Sequence, residues 1–312
     1  MSATAQRCVL AVDVGGSAVK FGYATSASQL QSIRTVPIQD LPQGGGVLDG
    51  IAELTRMALA ESPQGLRPAA IGIVVPGIVD AKSGIGRLSI MLGWRDAPIQ
   101  KRIGEASGLP VALGHDVSAA AVAEGAYGAG RGHHDWVFLA LGTGLGSALM
   151  LNGVPYRGSN GWGGELSHIV VDPEGPPCRC AKRGCLEVLA SASGISARFA
   201  DITGETIGAA EVAARAASGH AAAEQVWDTA VSALITVLAM AVESLNPSAV
   251  IVGGGMAQAG PQLLDPLKDG LATQVAWVRP SPIVIPAELG VFAGVHGAAL
   301  LGLNVLGHGE LQ

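Results

Sequence analysis

Apolar and polar positions along the chain switch repeatedly between strand-like and helix-like spacing. Val9–Val14 is a nearly continuous apolar run that reads as a buried strand, and Val19–Ala24 reads as its hairpin partner across Gly15-Gly16-Ser17. Gly44–Gly46 reads as a loop, and Leu48–Ala60 has helical spacing. Ala70–Val75 is a β-rich run halted by Pro76-Gly77. Ala97–Ala106 predicts a helix, Pro110–Leu113 a short strand, and Val117–Ala126 a further helix. The pattern then restarts, with a strand at Trp136–Leu141, a glycine turn at Gly142–Gly146 and a strand at Ser147–Leu151. Ala230–Leu245 predicts a long helix ended by Asn246-Pro247. Ala249–Val252 is a strand running into Gly253-Gly254-Gly255, and Gly294–Val305 is a C-terminal helix.

Strands alternating with helices throughout place the chain in the α/β class. Setting Asp13 against Thr143 puts Gly16-Ser17-Ala18 on Gly146-Ser147-Ala148, a weak repeat of strand, glycine turn and strand. Duplication and chance recurrence in a Gly- and Ala-rich chain explain these residues equally well. With no Pro/Ser-rich linker, the expected division is 1–115 and 116–294. The C-terminal helix, at about 295–312, is expected to pack back on the first domain.

Composition narrows the function classes. In 312 residues, 49% are hydrophobic and 14% charged, which supports packed cores rather than disorder. The longest apolar stretch, Val231–Val242, is too short to span a bilayer and runs into Glu243. Asp13 interrupts the apolar run Cys8–Val14, so no secretory signal is read there. The expectation is a cytoplasmic protein with no membrane partner. A net charge of −6 without a basic stripe argues against nucleic acid as a partner. Nucleotide binding stays open, because backbone amides and Mg²⁺ can neutralise phosphate without many lysines.

Four features carry chemistry. Glycine turns follow three apolar strands, at Asp13–Ser17, Gly142–Gly146 and Gly253–Gly255. Glycine lets backbone amides approach phosphate closely, although none of these turns closes with the Gly-Lys-Ser/Thr of a P-loop. Asp13 offers a carboxylate for Mg²⁺ or its water shell, or for a turn hydrogen bond. His168, Cys178, Cys180 and Cys185 offer an imidazole and three thiolates, which suits a structural tetrahedral Zn²⁺. Cys8, alone in an apolar run, reads as a core thiol. Asp116 follows Gly114-His115 where a strand gives way to a helix. It reads equally as the helix N-cap or as a base that takes a proton from a sugar hydroxyl. Asn160–His168, with Glu165 and His168, and Glu187 just beyond the cysteines, supply partners for hydroxyl groups. Trp162 suits a sugar face or a core position.

These residues resemble the ROK family, the repressors and sugar kinases built on the actin-like ATPase fold (hexokinase-like, ribonuclease H-like). Asp13-Val-Gly15-Gly16-Ser17 resembles its first phosphate motif, with Ser17 where Thr is usual. Leu141-Gly142-Thr143-Gly144-Leu-Gly146 resembles the second, and Val250–Gly255, with Gly253, Gly254 and Gly255, the adenosine motif. Gly161–His168 and Cys178–Glu187 resemble the family signature, and Trp94 resembles a further landmark.

The resemblance implies two domains closing over sugar and nucleotide, with Asp116 as general base and His115, Glu165, His168 and Glu187 toward the sugar. It supports ATP, Mg²⁺ and structural Zn²⁺, and a homodimer or homotetramer. The expected reaction is ATP-dependent phosphorylation of a hexose, glucose to glucose 6-phosphate, with N-acetylmannosamine or N-acetylglucosamine as alternative acceptors. A sugar-responsive regulator and a non-catalytic sugar-binding protein are the lesser readings. The family's regulators carry an added helix-turn-helix segment, and the first phosphate strand here begins by about Cys8. Four departures fall on the sugar side: His115 where Asn is usual, Ile90 and Met91 near an expected Asn, Ser167 for Gly, and Trp162 for a small residue.

Overall fold

The computed structural model describes residues 5–277 and 280–307. The chain forms two units, one running to Ala123 and resuming at Phe292, the other Glu124–Val291.

The first unit opens with β1 (Gln6–Val14), β2 (Ala18–Ser26), β3 (Gln29–Pro37), α1 (Val47–Ala60) and β4 (Leu66–Val75). A small sheet follows, made of β5 (Ile78–Asp80), β6 (Ile85–Ser89) and β7 (Trp94–Ala97), then α2 (Ile99–Ser107), β8 (Val111–His115) and α3 (Asp116–Tyr127). The main sheet has the order β3-β2-β1-β4-β8, with β1, β4 and β8 parallel. β1 lies between two partners and buries Cys8 through Val14, which is why its sequence is almost unbroken apolar. Burial pushes the Cys8 thiol up to about 11, as suits an inert core position.

The second unit contains β9 (Trp136–Leu141), β10 (Leu145–Leu151), β11 (Val154–Pro155), α4 (Leu186–Ala190), α5 (Ala192–Thr203) and α6 (Ala209–Ala217). It continues with α7 (Ala221–Leu245), β12 (Ala249–Gly253), α8 (Pro261–Gln274) and β13 (Ile283–Pro286). Its sheet order is β11-β10-β9-β12-β13, with β9, β12 and β13 parallel. Helix α7 starts earlier than its apolar spacing suggests, because Ala-rich Ala221–Thr229 joins it. By length and composition its 25 residues are long and apolar enough to cross a membrane. Its apolar face is nevertheless core: Val226, Leu234, Val237 and Leu238 are buried with Phe199, Val250 and Leu267.

Both sheets place an antiparallel trio beside a parallel trio that shares its innermost strand, so the architecture recurs. The register read from the sequence does not. Val14 pairs with Val19 across residues 15–18, whereas Leu141 pairs with Leu145 across residues 142–144. The second turn is therefore shorter than expected, and Gly146-Ser147-Ala148 lies inside β10 while Gly16 and Ser17 lie in a turn. Gly253 likewise ends β12 instead of opening a turn, and α2 begins at Ile99 because residues 94–97 form β7.

Helix α9 (Ala293–Val305) packs on β1 and β4 of the first unit. Of the C-terminal helix expected to about residue 312, residues 308–312 lie outside the described residues. The contact depends on missing side chains. A Cβ on Gly72 would overlap the Ala298 carbonyl, and one on Gly302 would lie 2.9 Å from the Gly72 nitrogen. Gly72→Ala is expected to destabilise the protein by about 3 kcal/mol, because backbone on both sides must move. Denaturant unfolding checks this, and an unchanged midpoint would show that the helix gives way at no cost.

Candidate functional site

In the first unit the candidate residues gather at the carboxyl ends of parallel strands, where ligands of open α/β sheets bind. Asp13 pairs in register with Val74, and His115 pairs with Val75, so the ends of β1 and β8 flank that of β4. Gly15, Gly16 and Ser17 follow Asp13 directly. The Gly15 amide donates to the Ala18 carbonyl at 2.9 Å and closes the turn. Asp13 is 7% exposed. Lys20 Nζ stands 3.3 Å from its Oδ2. Burial raises the Asp13 carboxyl to about 6, with Lys20 pulling it down and Asp116 pushing it up.

Asp116 is the first residue of α3 rather than its cap. Its Oδ1 accepts the Val117 amide at 2.7 Å. The His115 Nδ1 takes the capping place, accepting the Ser118 amide at 3.4 Å, while Nε2 lies 3.3 Å from Asp116 Oδ1. The departure from Asn to His thus gives the strand end an imidazole that both caps the helix and touches the candidate base.

In the second unit two glycine turns adjoin. The Gly142 amide donates to Gly144 at 2.9 Å, and the Gly142 and Thr143 carbonyls accept the amides of Ala192 and Ser193 at the start of α5. Gly254, at φ 83°, fits against Leu141, whose carbonyl a Cβ would overlap. Gly255 then opens a 3₁₀ turn running to Ala259.

Glu165 precedes a 3₁₀ turn at Leu166–His168. That segment is held by Ser147, whose hydroxyl donates to the Gly164 carbonyl and accepts the Leu166 amide at 3.1 Å. His168, Cys178 and Glu187 come together, with Cys178 Sγ 3.7 Å from His168 Nδ1 and 4.0 Å from Glu187 Oε2. Glu187 lies in the first turn of α4, where a negative charge also meets the helix dipole. Trp162 is 59% exposed, which removes its core reading.

The ligand atoms of His168, Cys178, Cys180 and Cys185 all lie within 4.8 Å of one another. Cys180 Sγ and Cys185 Sγ are 3.6 Å apart. A tetrahedron with metal–sulfur bonds of about 2.3 Å has edges of about 3.8 Å, so the four donors fit a single ion. Burial, then the adjoining Cys180 and Cys178 thiols, push Cys185 up to about 12. Only a cation held among them would make all three thiolates favourable at this spacing.

Two contacts were not read from the sequence. Lys20 opposite Asp13 was legible, since the hairpin register that pairs Val14 with Val19 also pairs Asp13 with Lys20. Met91 against Gly16 was not. Its Sδ lies 3.3 Å from where a Gly16 Cβ would stand, and nothing in local spacing joins residues so far apart.

Asp13 carries a stability cost with a defined pH window. Its folded value lies above the unfolded one, so the unfolded chain loses its proton first as pH rises. Stability therefore falls between about pH 4 and about pH 6 and levels off above. Asp13→Asn removes that slope and is expected to stabilise the ligand-free chain by about 1–3 kcal/mol at pH 7.5, with no gain below pH 4. Thermal or denaturant unfolding across this range checks it; destabilisation at pH 7.5 would mean Asp13 is held by stronger partners than Lys20.

Residues 9–304 match the family model described as the ROK family. The glucokinase of Halalkalibacterium halodurans is 32% identical, covering 95% of this chain and 94% of its own length. An N-acetylmannosamine kinase of Shigella boydii is 29% identical over 96% of this chain and 98% of its own. A ROK family glucokinase from Streptomyces griseus, solved in complex with glucose and AMPPNP, superposes with a TM-score of 0.83 at 30% identity, covering 95% of this chain and 99% of that one. The chain belongs to the ROK family, and its two α/β units are those of the actin-like ATPase fold.

Proposed function

We propose that the protein is an ATP-dependent sugar kinase whose acceptor is glucose, attacked at its 6-hydroxyl. The observation that carries this reading is Asp116 at the end of β8, in the same sheet edge as Asp13 and its glycine turn at the end of β1. The names of the full-length relatives support it.

Asp116 accepts the proton of the attacking hydroxyl as the new bond to the γ-phosphorus forms and the bond to the β-phosphate bridging oxygen breaks, releasing ADP. His115, bonded to Ser118 and beside Asp116, fixes the side-chain direction of the base. The Gly15 and Gly142 amides close their own turns, so contact with the phosphates falls to Gly16, Ser17, Thr143 and Gly144. Gly253, Gly254 and Gly255 take the adenosine side. Asp13 would hold Mg²⁺ or its water shell. Its carboxyl ionises near pH 6 and its only strong partner among the described residues is Lys20, a fit for a cation close by. Mg²⁺ supplies charge neutralisation on the phosphates. Glu165, His168 and Glu187 are the sugar-binding residues of the second unit. His168, Cys178, Cys180 and Cys185 would hold Zn²⁺ as a brace for the loop joining His168 to Glu187.

The full-length likeness to an N-acetylmannosamine kinase favours a second reading, an N-acetylhexosamine kinase.

Coupled ADP release across glucose, mannose, N-acetylglucosamine and N-acetylmannosamine decides between them. Glucose is expected to give the highest kcat/KM. Faster turnover of an N-acetylated sugar selects the second reading, and no sugar-dependent release sinks both. Asp116→Ala is expected to lower kcat by about 10²–10⁴-fold with unfolding unchanged; near-normal turnover refutes the base. The purified chain is expected to carry about one zinc, lost in Cys180→Ala. Elemental analysis checks this, and equal zinc in the variant refutes the ligand set.

A further inference from the structure

Glu124 is fully buried, and no cation is near enough to pair with it among the described residues. Such a carboxylate is costly unless several hydrogen bonds reach it. Here three backbone amides do. Oε2 accepts from Ala129 at 2.9 Å and from Glu288 at 3.1 Å, and Oε1 accepts from Leu289 at 2.8 Å. One side chain therefore grips two segments more than 150 residues apart in sequence. Gly128 makes room for it, since a Cβ there would collide with Oε2.

The place of this grip matters more than its strength. The chain leaves the first unit inside α3, between Ala123 and Glu124, and returns between Val291 and Phe292. Glu124 stands at the first crossing, and Glu288-Leu289 lead into the second. Helix α3 begins with Asp116. Helix α9, which the second crossing feeds, reaches Asp13 with its first turn: a Cβ on Gly294 would lie 2.6 Å from the Asp13 carboxylate. The two helices also touch directly, because a Cβ on Gly297 would overlap the Ala119 backbone.

We propose that Glu124 is a positioning residue for phosphoryl transfer: by fastening the lead-in of α9 to the far end of α3, it holds in register the two helices that carry Asp116 and abut Asp13. Glu124 touches neither substrate. It acts through the two aspartates, and the inference rests on the phosphoryl-transfer reading above. The carboxylate is required rather than mere bulk, because only its two oxygens can take three donors at once.

The test uses the full chain. Glu124→Gln keeps the volume but replaces one acceptor oxygen with a donor, Glu124→Ala removes the grip, and Gly128→Ala displaces it. Arg131→Ala deletes the exposed ion pair to Glu288 and the Nε bond to the Gly128 carbonyl while leaving all three amide bonds to Glu124 in place, and serves as the control. Turnover is taken per folded molecule, together with KM for glucose and ATP and amide exchange at Ala129, Glu288 and Leu289. Glu124→Gln is expected to lose about tenfold in kcat with each KM within about threefold, since positioning errors fall on the transition state. Glu124→Ala and Gly128→Ala are expected to lose at least as much where they fold, all with faster exchange at the three amides. Arg131→Ala is expected to match the wild type. A folded Glu124→Gln with kcat within twofold of wild type overturns the proposal, as does lowered stability with unchanged kcat per folded molecule. If the wild type itself releases no ADP with any sugar, the kinase reading fails, and amide exchange still decides the grip. Retained protection at Glu288 and Leu289 in Glu124→Gln overturns it.

Discussion

The burial of the Asp13 carboxylate is the constraint around which the first unit is arranged. Asp13 closes the most enclosed strand of its sheet, with β2 on one side and β4 on the other. Apart from Lys20, the neighbours that approach it are small. Glycines follow it in the turn, and Gly294 brings the first turn of α9 against the carboxylate. A helix N-terminus is a favourable neighbour for negative charge. Yet with one lysine partner the carboxyl still sits near 6, so the ligand-free protein holds this group at a cost. That is the state expected of a carboxylate that awaits a cation rather than one that stabilises a fold. The glycines that let α9 approach β4 belong to the same arrangement, since α9 can reach Asp13 only by lying flat on the sheet.

The second unit repeats the sheet but not the chemistry. Its corresponding hairpin has a shorter turn with Thr143 and no carboxylate, and α5 ties that turn down through Ala192 and Ser193. The strand order is shared because it is set by burial and by connection rules, which tolerate wide sequence change. Turn length and turn residues are free to diverge, because they lie outside the core that sets the strand order.

This difference explains what the sequence made legible. The strands at residues 9–14, 70–75, 136–141 and 249–252 were readable because both faces are buried and the runs are continuously apolar. Strand β3 was not, since its half-exposed pattern has no clean alternation. The small sheet of β5, β6 and β7 was missed because its strands are short, and helix α5 because Ile195 and Phe199 are its only large buried side chains; α6 and α8 do carry buried residues at helical spacing, Val212 with Ala216 and Leu263 with Leu267 and Leu271, and were legible. In the site, the cysteine cluster was legible because its donors are close in sequence. Asp116 was ambiguous between cap and base from local residues alone, and the fold gives the capping bond to His115. Met91 on Gly16 and Glu124 on residues 288–289 lay beyond reach, because they are made by topology and not by spacing.

The same geometry sorts the four departures from the family pattern. Ser167 is buried inside its 3₁₀ turn, where it answers to packing. The Trp162 ring stands exposed on its loop. His115 and Met91 differ from both, for each touches a group that bears on the reaction. His115 meets the candidate base, and Met91 meets the glycine turn after Asp13. A change of acceptor preference requires a change in what meets the reacting hydroxyl or its immediate surroundings. His115 alters the partners of the candidate base, adding an imidazole beside a carboxylate, and Met91 adds an apolar surface next to the turn that follows Asp13. Of the four departures, these two are the ones the fold joins to the candidate base and to the turn after Asp13.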